Sequence, residues 1–322
     1  MLKQLSPTTI GILCVVGAGL CFSTTDMTIK FLSDGYPLHE LVFARAAISL
    51  VVIMLVLMPL EGGFHNLKTK RLGMHILRGL CVFIANMAFF TGIATMPLAE
   101  ATAIFFIAPL LITAMSVPFL GEKVGIKRWI AVVVGLVGVI VILRPGTEAF
   151  RFAALGPVIA ATAYASMQII TRKIGTTERA STLAFFIQFT FLVLCSGIGL
   201  AVGDGRFSEG IDNPSLYFLL RAWTMPESSD FMLMLAIGTL SAFGAYLISM
   251  GYRTVEATTA APFEYVVLPA AVFWSVTIFG EWPDLTATLG IFLIVGSGLY
   301  AFWRENIRGS VVAAKHPLPR NR

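Results

Sequence analysis

Apolar residues run along this chain in long blocks separated by short polar seams, without the close alternation that a water-facing surface imposes. A helix needs about 20 mainly apolar residues to cross the hydrocarbon of a bilayer. Ten blocks come near that length: 8–31, 38–60, 73–95, 97–120, 127–144, 152–173, 180–203, 229–252, 255–280 and 284–304. The pattern predicts an all-α integral membrane protein with ten transmembrane helices. One seam is long, 204–228, and carries Asp204, Arg206, Glu209, Asp212, Pro214 and Pro226. It is too short for a folded domain, and a short interfacial helix is expected within it at Leu216–Trp223. The stretch 305–322 is polar and basic and reads as a cytoplasmic tail without fixed structure.

Composition sharpens this reading. Hydrophobic residues are 57% of the 322 and charged residues 13%, against about 25% charged in soluble domains. Lipid must therefore be the main solvent, which excludes a cytosolic enzyme, a secreted disulfide scaffold and a disordered chain. Cys14, Cys21, Cys81 and Cys195 all fall inside apolar blocks and act as small hydrophobes. The first apolar block lacks a small-residue cleavage site and is read as a membrane helix.

The net charge of +5 is distributed by topology. With the N-terminus in the cytoplasm, five basic residues face the far side: Lys30, Arg144, Arg151, Arg206 and Arg221. Sixteen face the near side: Lys3, Arg253 and clusters at 68–71, 123–128, 172–179 and 304–322. Basic residues collect in cytoplasmic loops, so both termini are expected in the cytoplasm of an inner-membrane protein.

The two halves of the chain echo one another. Phe22, Asp26 and Lys30 match Tyr164, Gln168 and Arg172 at an offset of 142. Ala99-Glu100-Ala101-Thr102 matches Val255-Glu256-Ala257-Thr258 at 156, and Gly121-Glu122 matches Gly280-Glu281 at 159. The reading is a first repeat over 8–146 and a second over 152–304. Each holds five helices, an odd number, so the second enters the membrane from the opposite side. Inverted repeats of this kind recur in secondary transporters, with substrate at the midplane between the halves.

These residues carry a resemblance. Asp26-x-x-x-Lys30, Tyr36-Pro37 before Arg45, Glu100-Ala101-Thr102 through Pro109 to Gly121-Glu122, and Ala261-Pro262-Phe263-Glu264-Tyr265 through Gly280-Glu281-x-Pro283 resemble the drug/metabolite transporter superfamily, in its ten-helix group with two EamA-type repeats. The resemblance spans roughly Ile10 to Trp303. It implies transport, and the last segment is similar to bacterial members assigned to uptake of riboflavin or S-adenosylmethionine.

Ionisable groups at membrane depth are costly and default to functional hypotheses. Asp26 lies two-thirds along the first span. It reads either as a substrate or proton site, or as an i,i+4 partner of a snorkelling Lys30. Arg45 lies too deep to snorkel easily and needs an anionic or carbonyl partner, either Asp26 or a substrate carboxylate or phosphate. Arg78, one turn inside the third span, is expected to snorkel. Glu264 lies near the middle of the ninth span, two residues after Pro262 and five before Pro269, where a broken helix would expose backbone. Pro109 has the corresponding kink role in the fourth span, with no acid beside it.

The remaining polar groups are read in sets. Glu100 and Glu256 start helices and complement their dipoles. Glu122 and Glu281 end helices at opposite faces and, with Pro109 and Pro262, are candidate gate or hinge elements. Asn86, Tyr164, Gln168, Gln188 and Tyr265 either make helix-packing hydrogen bonds or line a cavity. Phe89, Phe90, Phe105, Phe106 and Trp274 could stack on a planar ligand or face lipid. Gly135, Gly138 and Gly199-x-x-x-Gly203 read as close helix contacts.

Other chemistry finds no support. His39, His65, His75 and His316 lack metal-ligand spacing, and no phosphate-binding glycine loop or hydrolytic triad is present. The expected function is thus transport of a small organic metabolite by alternating access, with no cofactor, no nucleic-acid partner and no catalysis. The proposed lining is Asp26, Arg45, Asn86, Tyr164, Gln168, Glu264 and Tyr265. Riboflavin uptake is the leading reading, with S-adenosylmethionine uptake or amino-acid or drug export as alternatives. A membrane-embedded enzyme is the rival class.

Overall fold

A computed structural model describes residues 7–69, 71–121, 124–145, 154–174, 179–254 and 263–308. Among these residues the fold is helical throughout, without strands. The helices are α1 (Pro7–Leu32), α2 (Leu38–Val52), α3 (Leu72–Ile93), α4 (Leu98–Phe105), α5 (Ala108–Leu120), α6 (Ile126–Leu143), α7 (Leu155–Ile174), α8 (Ala180–Val202), α9 (Pro214–Leu220), α10 (Ser228–Thr254), α11 (Val267–Phe279) and α12 (Leu285–Arg308). Among the described residues, six stretches are long and apolar enough to cross a membrane: Thr9–Leu32, Leu38–Leu60, Leu72–Ile93, Leu98–Leu120, Ser181–Val202 and Ser228–Gly251. Four shorter apolar helices, at Trp129–Leu143, Leu155–Thr171, Val267–Phe279 and Leu285–Tyr300, occupy the other predicted blocks.

Proline and glycine set the punctuation. α2 continues through a π-helical turn at Ile53–Leu57 into Met58–Leu60. Pro59 has no N–H for the Leu55 carbonyl, and the turn before it widens. The predicted fourth span is broken at Phe106–Ile107, because Pro109 cannot donate to the Phe105 carbonyl four residues back. A matching break at Tyr265–Val266 precedes α11, where Pro269 stands four residues after Tyr265. The Tyr265 carbonyl is instead satisfied by the Leu268 N–H at 3.1 Å. Both half-helices end on a left-handed glycine, Gly121 (φ 69) and Gly280 (φ 67), a conformation that costs glycine little.

α1 packs chiefly on α10, α3 on α7 and α6 on α12. Small residues allow the close approaches. A Cβ on Gly79 would lie 2.7 Å from Thr190 Cβ, and one on Gly138 would lie 3.0 Å from the Gly290 carbonyl. A Cβ on Gly251 would crowd Val15 and Gly11, and one on Gly238 would sit 2.5 Å from Ile48 Cβ. Exposed apolar side chains, including Ile126, Ile130, Val133, Val137 and Ile140 on α6, form the lipid-facing surface.

Several expectations are corrected here. Arg78 does not snorkel: it is buried, and its Nε donates to Thr171 Oγ1 at 2.8 Å, joining α3 to α7. α12 runs on to Arg308 instead of stopping at 304, since no glycine or proline interrupts the sequence before Gly309. The interfacial helix of the long seam is Pro214–Leu220, started by Asn213, whose side chain accepts from the Ser215 and Leu216 N–H groups. Glu122, Glu256, Pro262, the boundary at 147–151 and the tail beyond Arg308 lie outside the described residues.

Candidate substrate site

Arg45 on α2 is the centre of one polar cluster. Only 6% of it is exposed, and its Nη2 donates to Asn86 Oδ1 on α3 at 2.6 Å. Asn86 is itself oriented by donating from Nδ2 to the Val82 carbonyl at 3.2 Å. The guanidinium lies over two rings, 5.1 Å from the centre of Phe191 and 5.8 Å from that of Phe90, positions that suit cation–π attraction. Arg45 Nε is buried without an acceptor. Asp26 on α1 lies close enough for its charge to act on Arg45. The sequence left Asp26 and a substrate anion as alternative partners; in the structure the hydrogen-bonded partner of Arg45 is Asn86, with Asp26 acting on it through charge alone.

The second cluster gathers at the helix breaks. Gln168 donates from Nε2 to the Tyr164 hydroxyl at 2.8 Å, one turn apart on α7. Tyr164 and Tyr265 both lie within charge range of Glu264. The Tyr265 hydroxyl is buried without a partner and packs against Gly298 of α12, where any Cβ would overlap it. Phe106 lies against the Tyr265 ring at 5.2 Å and Phe105 against Tyr164 at 5.4 Å.

Aromatic contacts link the two clusters. Phe90 touches Phe89 at 5.6 Å, Phe89 touches Phe105 at 5.6 Å, and Phe105 touches Phe106 at 6.2 Å, each edge to face. Four of the five aromatics considered in the sequence therefore form one run from Arg45 to Tyr265. Trp274 is not part of it and packs on Phe273. Phe191 covers Arg45, and nothing in the sequence distinguishes it from the lipid-facing phenylalanines along α8.

Lys30 does not pair with Asp26. Its Nζ donates to Glu281 at 2.6 and 2.8 Å and to the Met96 carbonyl at 3.1 Å, with the Phe279 ring 4.7 Å away. Asp26 and Lys30 thus serve different neighbours despite standing one turn apart. A cavity of about 350 Å³ opens beside this pair, lined by Lys30, Glu281 and Ile93–Pro97. At the same end Arg144 binds both carboxylate oxygens of Asp284, and this holds the Asp284 carboxyl below its ordinary range. The 204–228 segment caps this end. Arg221 donates to the carbonyls of Ser33, Asp34 and Tyr36, and Ser215 Oγ donates to the Thr91 carbonyl at 2.9 Å. At the opposite end Glu61 accepts from the Ser181 N–H and hydroxyl. Among the described residues no group of histidine, cysteine and carboxylate side chains is arranged to hold a metal.

Residues 9–144 match the EamA-like transporter family. The chain carries an EamA-type transporter domain. It is similar to an S-adenosylmethionine uptake transporter of Rickettsia prowazekii, 26% identical over 283 residues, 88% of this chain and 89% of that one. It is 28% identical over 289 residues to a riboflavin transporter of Vibrio cholerae, covering 88% and 90% of the two chains. A riboflavin transporter of Rhizobium johnstonii matches at 26% over 92% of each chain. A solved structure described only as the crystal structure of a protein superposes with a TM-score of 0.64, over 94% of this chain and 99% of that one. At 17% identity it shows the fold alone. The resemblance to EamA-type drug/metabolite transporters expected from the sequence therefore stands. The protein is a multi-pass membrane transporter.

Proposed function

We propose that this protein imports a small planar metabolite across the inner membrane by alternating access, with riboflavin as the leading substrate. The observation that carries the reading is the aromatic run from Phe90 through Phe89, Phe105 and Phe106 to Tyr265, anchored by Arg45 at one end and Glu264 at the other. A fused-ring substrate can stack on such a run. Its carbonyl and imide edge can take hydrogen bonds from Arg45 and Asn86, and a ribityl chain can exchange hydrogen bonds with Tyr164 and Gln168 and donate to the Glu264 carboxylate. The relatives named as riboflavin transporters support this substrate.

A second reading is S-adenosylmethionine uptake. Relatives in Rickettsia carry that name, and two acids within the bundle, Asp26 and Glu264, suit its sulfonium cation. Arg45 would then take the carboxylate.

Ten spans in two inverted repeats, 8–146 and 152–304, form the architecture of this reading. It is supported by close contacts that recur at the sequence offsets. Gly79 meets Thr190 and Gly238 meets Ile48; the glycines are 159 residues apart and their partners 142. The two helix breaks also recur, with Phe106 answered by Tyr265 at 159. Pro109 and Pro262 act as hinge elements in this scheme, and Glu122 and Glu281 as gates at opposite faces. Both termini lie in the cytoplasm, as the basic residues argue.

Purified protein in liposomes should accumulate labelled riboflavin, with unlabelled S-adenosylmethionine failing to compete. Accumulation of S-adenosylmethionine instead selects the second reading. Uptake of neither by folded protein ends the import proposal.

A further inference from the structure

The Lys30 ammonium, 10% exposed at its side chain, has three oxygen acceptors and a ring face around it. Glu281, 31% exposed at its side chain, is held from its own side as well. Its N–H donates to the Ser275 carbonyl at 2.9 Å, and its carboxylate accepts from Ser275 Oγ at 3.4 Å. The neighbouring Arg144–Asp284 pair is more exposed, at 26% and 54%, and solvent screens it more strongly. Lys30–Glu281 is therefore the more shielded of these two ionic contacts.

Both partners are rigidly connected to the candidate site. Asp26 precedes Lys30 by one turn on the same face of α1, and Asp26 lies in the field of Arg45. Glu281 follows Gly280 at the end of α11, an unbroken helix of 13 residues that begins just after the Tyr265–Val266 break. Such a helix is about 20 Å long at 1.5 Å per residue, so a small turn at Tyr265 becomes a larger displacement at Glu281.

We propose that Lys30–Glu281 is a latch that holds this end of the bundle shut, and that substrate releases it through α1 and α11 together. The inference rests on the transporter reading given above. A substrate seated between Arg45 and the aromatic run takes over part of the field that holds Asp26 and presses on the ring of Tyr265. Both shifts act on the latch, and its contacts of 2.6–3.1 Å cannot survive a displacement of an ångström or more. Closed and open forms then differ by a discrete contact, as a two-state gate requires.

The test is a distance measurement by electron–electron double resonance on full-length protein lacking its native cysteines, with spin labels at Phe31→Cys and Trp282→Cys. Both positions are exposed, at 55% and 76%, and each adjoins one latch residue. The unmodified latch should give a short, narrow distance population. Glu281→Gln or Lys30→Met should raise the longer-distance population about 5-fold or more, the lower range of conformational coupling between sites. The exchange Lys30→Glu with Glu281→Lys should restore the short population and so exclude a general loss of fold. Saturating riboflavin or S-adenosylmethionine should raise the long population in the unmodified protein, and the one that does so is the substrate. An unchanged distribution in Glu281→Gln overturns the latch, whatever the substrate. A latch that opens on mutation but not with a compound that liposomes accumulate overturns the coupling and leaves the transport reading in place.

Discussion

Asn86 holds Arg45 by a 2.6 Å hydrogen bond across two helices, and the guanidinium lies over the faces of Phe90 and Phe191. The arrangement fixes a planar donor at membrane depth with one nitrogen still lacking an acceptor. A hydrogen bond to a charged group contributes about 1.5–3 kcal/mol. Asn86→Leu should therefore reduce initial uptake roughly 10- to 100-fold at normal membrane expression. Arg45→Lys should not restore transport, because a point charge cannot reproduce the planar contact. Uptake by Arg45→Lys at the unmodified rate would remove Arg45 from the site.

Tyr265 and Gly298 form a fitted pair, since a side chain on Gly298 overlaps the Tyr265 hydroxyl. Gly298→Ala must displace the ring and should cost about 1–3 kcal/mol of stability, the usual scale of overpacking, together with most of the transport. Tyr265→Phe removes a buried hydroxyl that has no partner in the fold, so thermal stability should hold or rise slightly. If that hydroxyl meets substrate, this variant loses uptake without losing stability, and parallel thermal melts and uptake assays separate the two effects.

Arg221 ties the 204–228 segment to the end of α1 through three carbonyls. Burial pulls its guanidinium below the ordinary range, but it remains a cation at neutral pH. Arg221→Ala leaves those carbonyls without their donor. The loss of one such charged contact, about 1.5–3 kcal/mol, should lower the melting temperature of detergent-solubilised protein by roughly 5 °C. Arg221→Lys should recover only part of it. Intrinsic tryptophan fluorescence during a thermal ramp reads both.

Asp284 accepts from Arg144 and from the Ala287 N–H, and these bonds hold its carboxyl below the usual carboxylate range. A carboxyl with a depressed folded-state pKa adds stability that is complete above its unfolded value, about 3.9. That stability is lost as pH falls through the lower folded value. The melting difference between unmodified protein and Asp284→Asn should be constant from about pH 6 to 8 and shrink below about pH 4. A difference that grows on acidification contradicts the assignment.

Much of the architecture is legible in the sequence because lipid enforces it. The block 38–60 coincides with the span Leu38–Leu60, and 180–203 differs from α8 by a single residue, since a lipid-facing helix must stay apolar along its length. The interruptions are harder to read. Pro59 signals a disturbance in its helix, but not that it takes the form of a π-helical turn at Ile53–Leu57. Residues of the candidate site are recognisable singly as polar groups at depth, whereas their partners are not. Lys30 reads locally as the partner of Asp26, yet its partner is Glu281, 251 residues away, and only the folded bundle brings them together. Arg78 reads as a snorkelling cation for the same reason, because Thr171 gives no sign in the sequence that it will accept from it.

The 204–228 segment has a practical consequence. Its anchors are concentrated at Ser215, Arg221 and Thr224, whereas Arg206, Phe207, Glu209 and Asp212 are exposed. A short epitope inserted at 207–212 would therefore sit on a braced platform without touching its fastenings. Antibody binding to that epitope on intact spheroplasts would report which compartment this end of the protein faces. The same rigid mount would give a bound antibody fragment a fixed pose, making it a fiducial for imaging a protein that has little mass of its own outside the membrane.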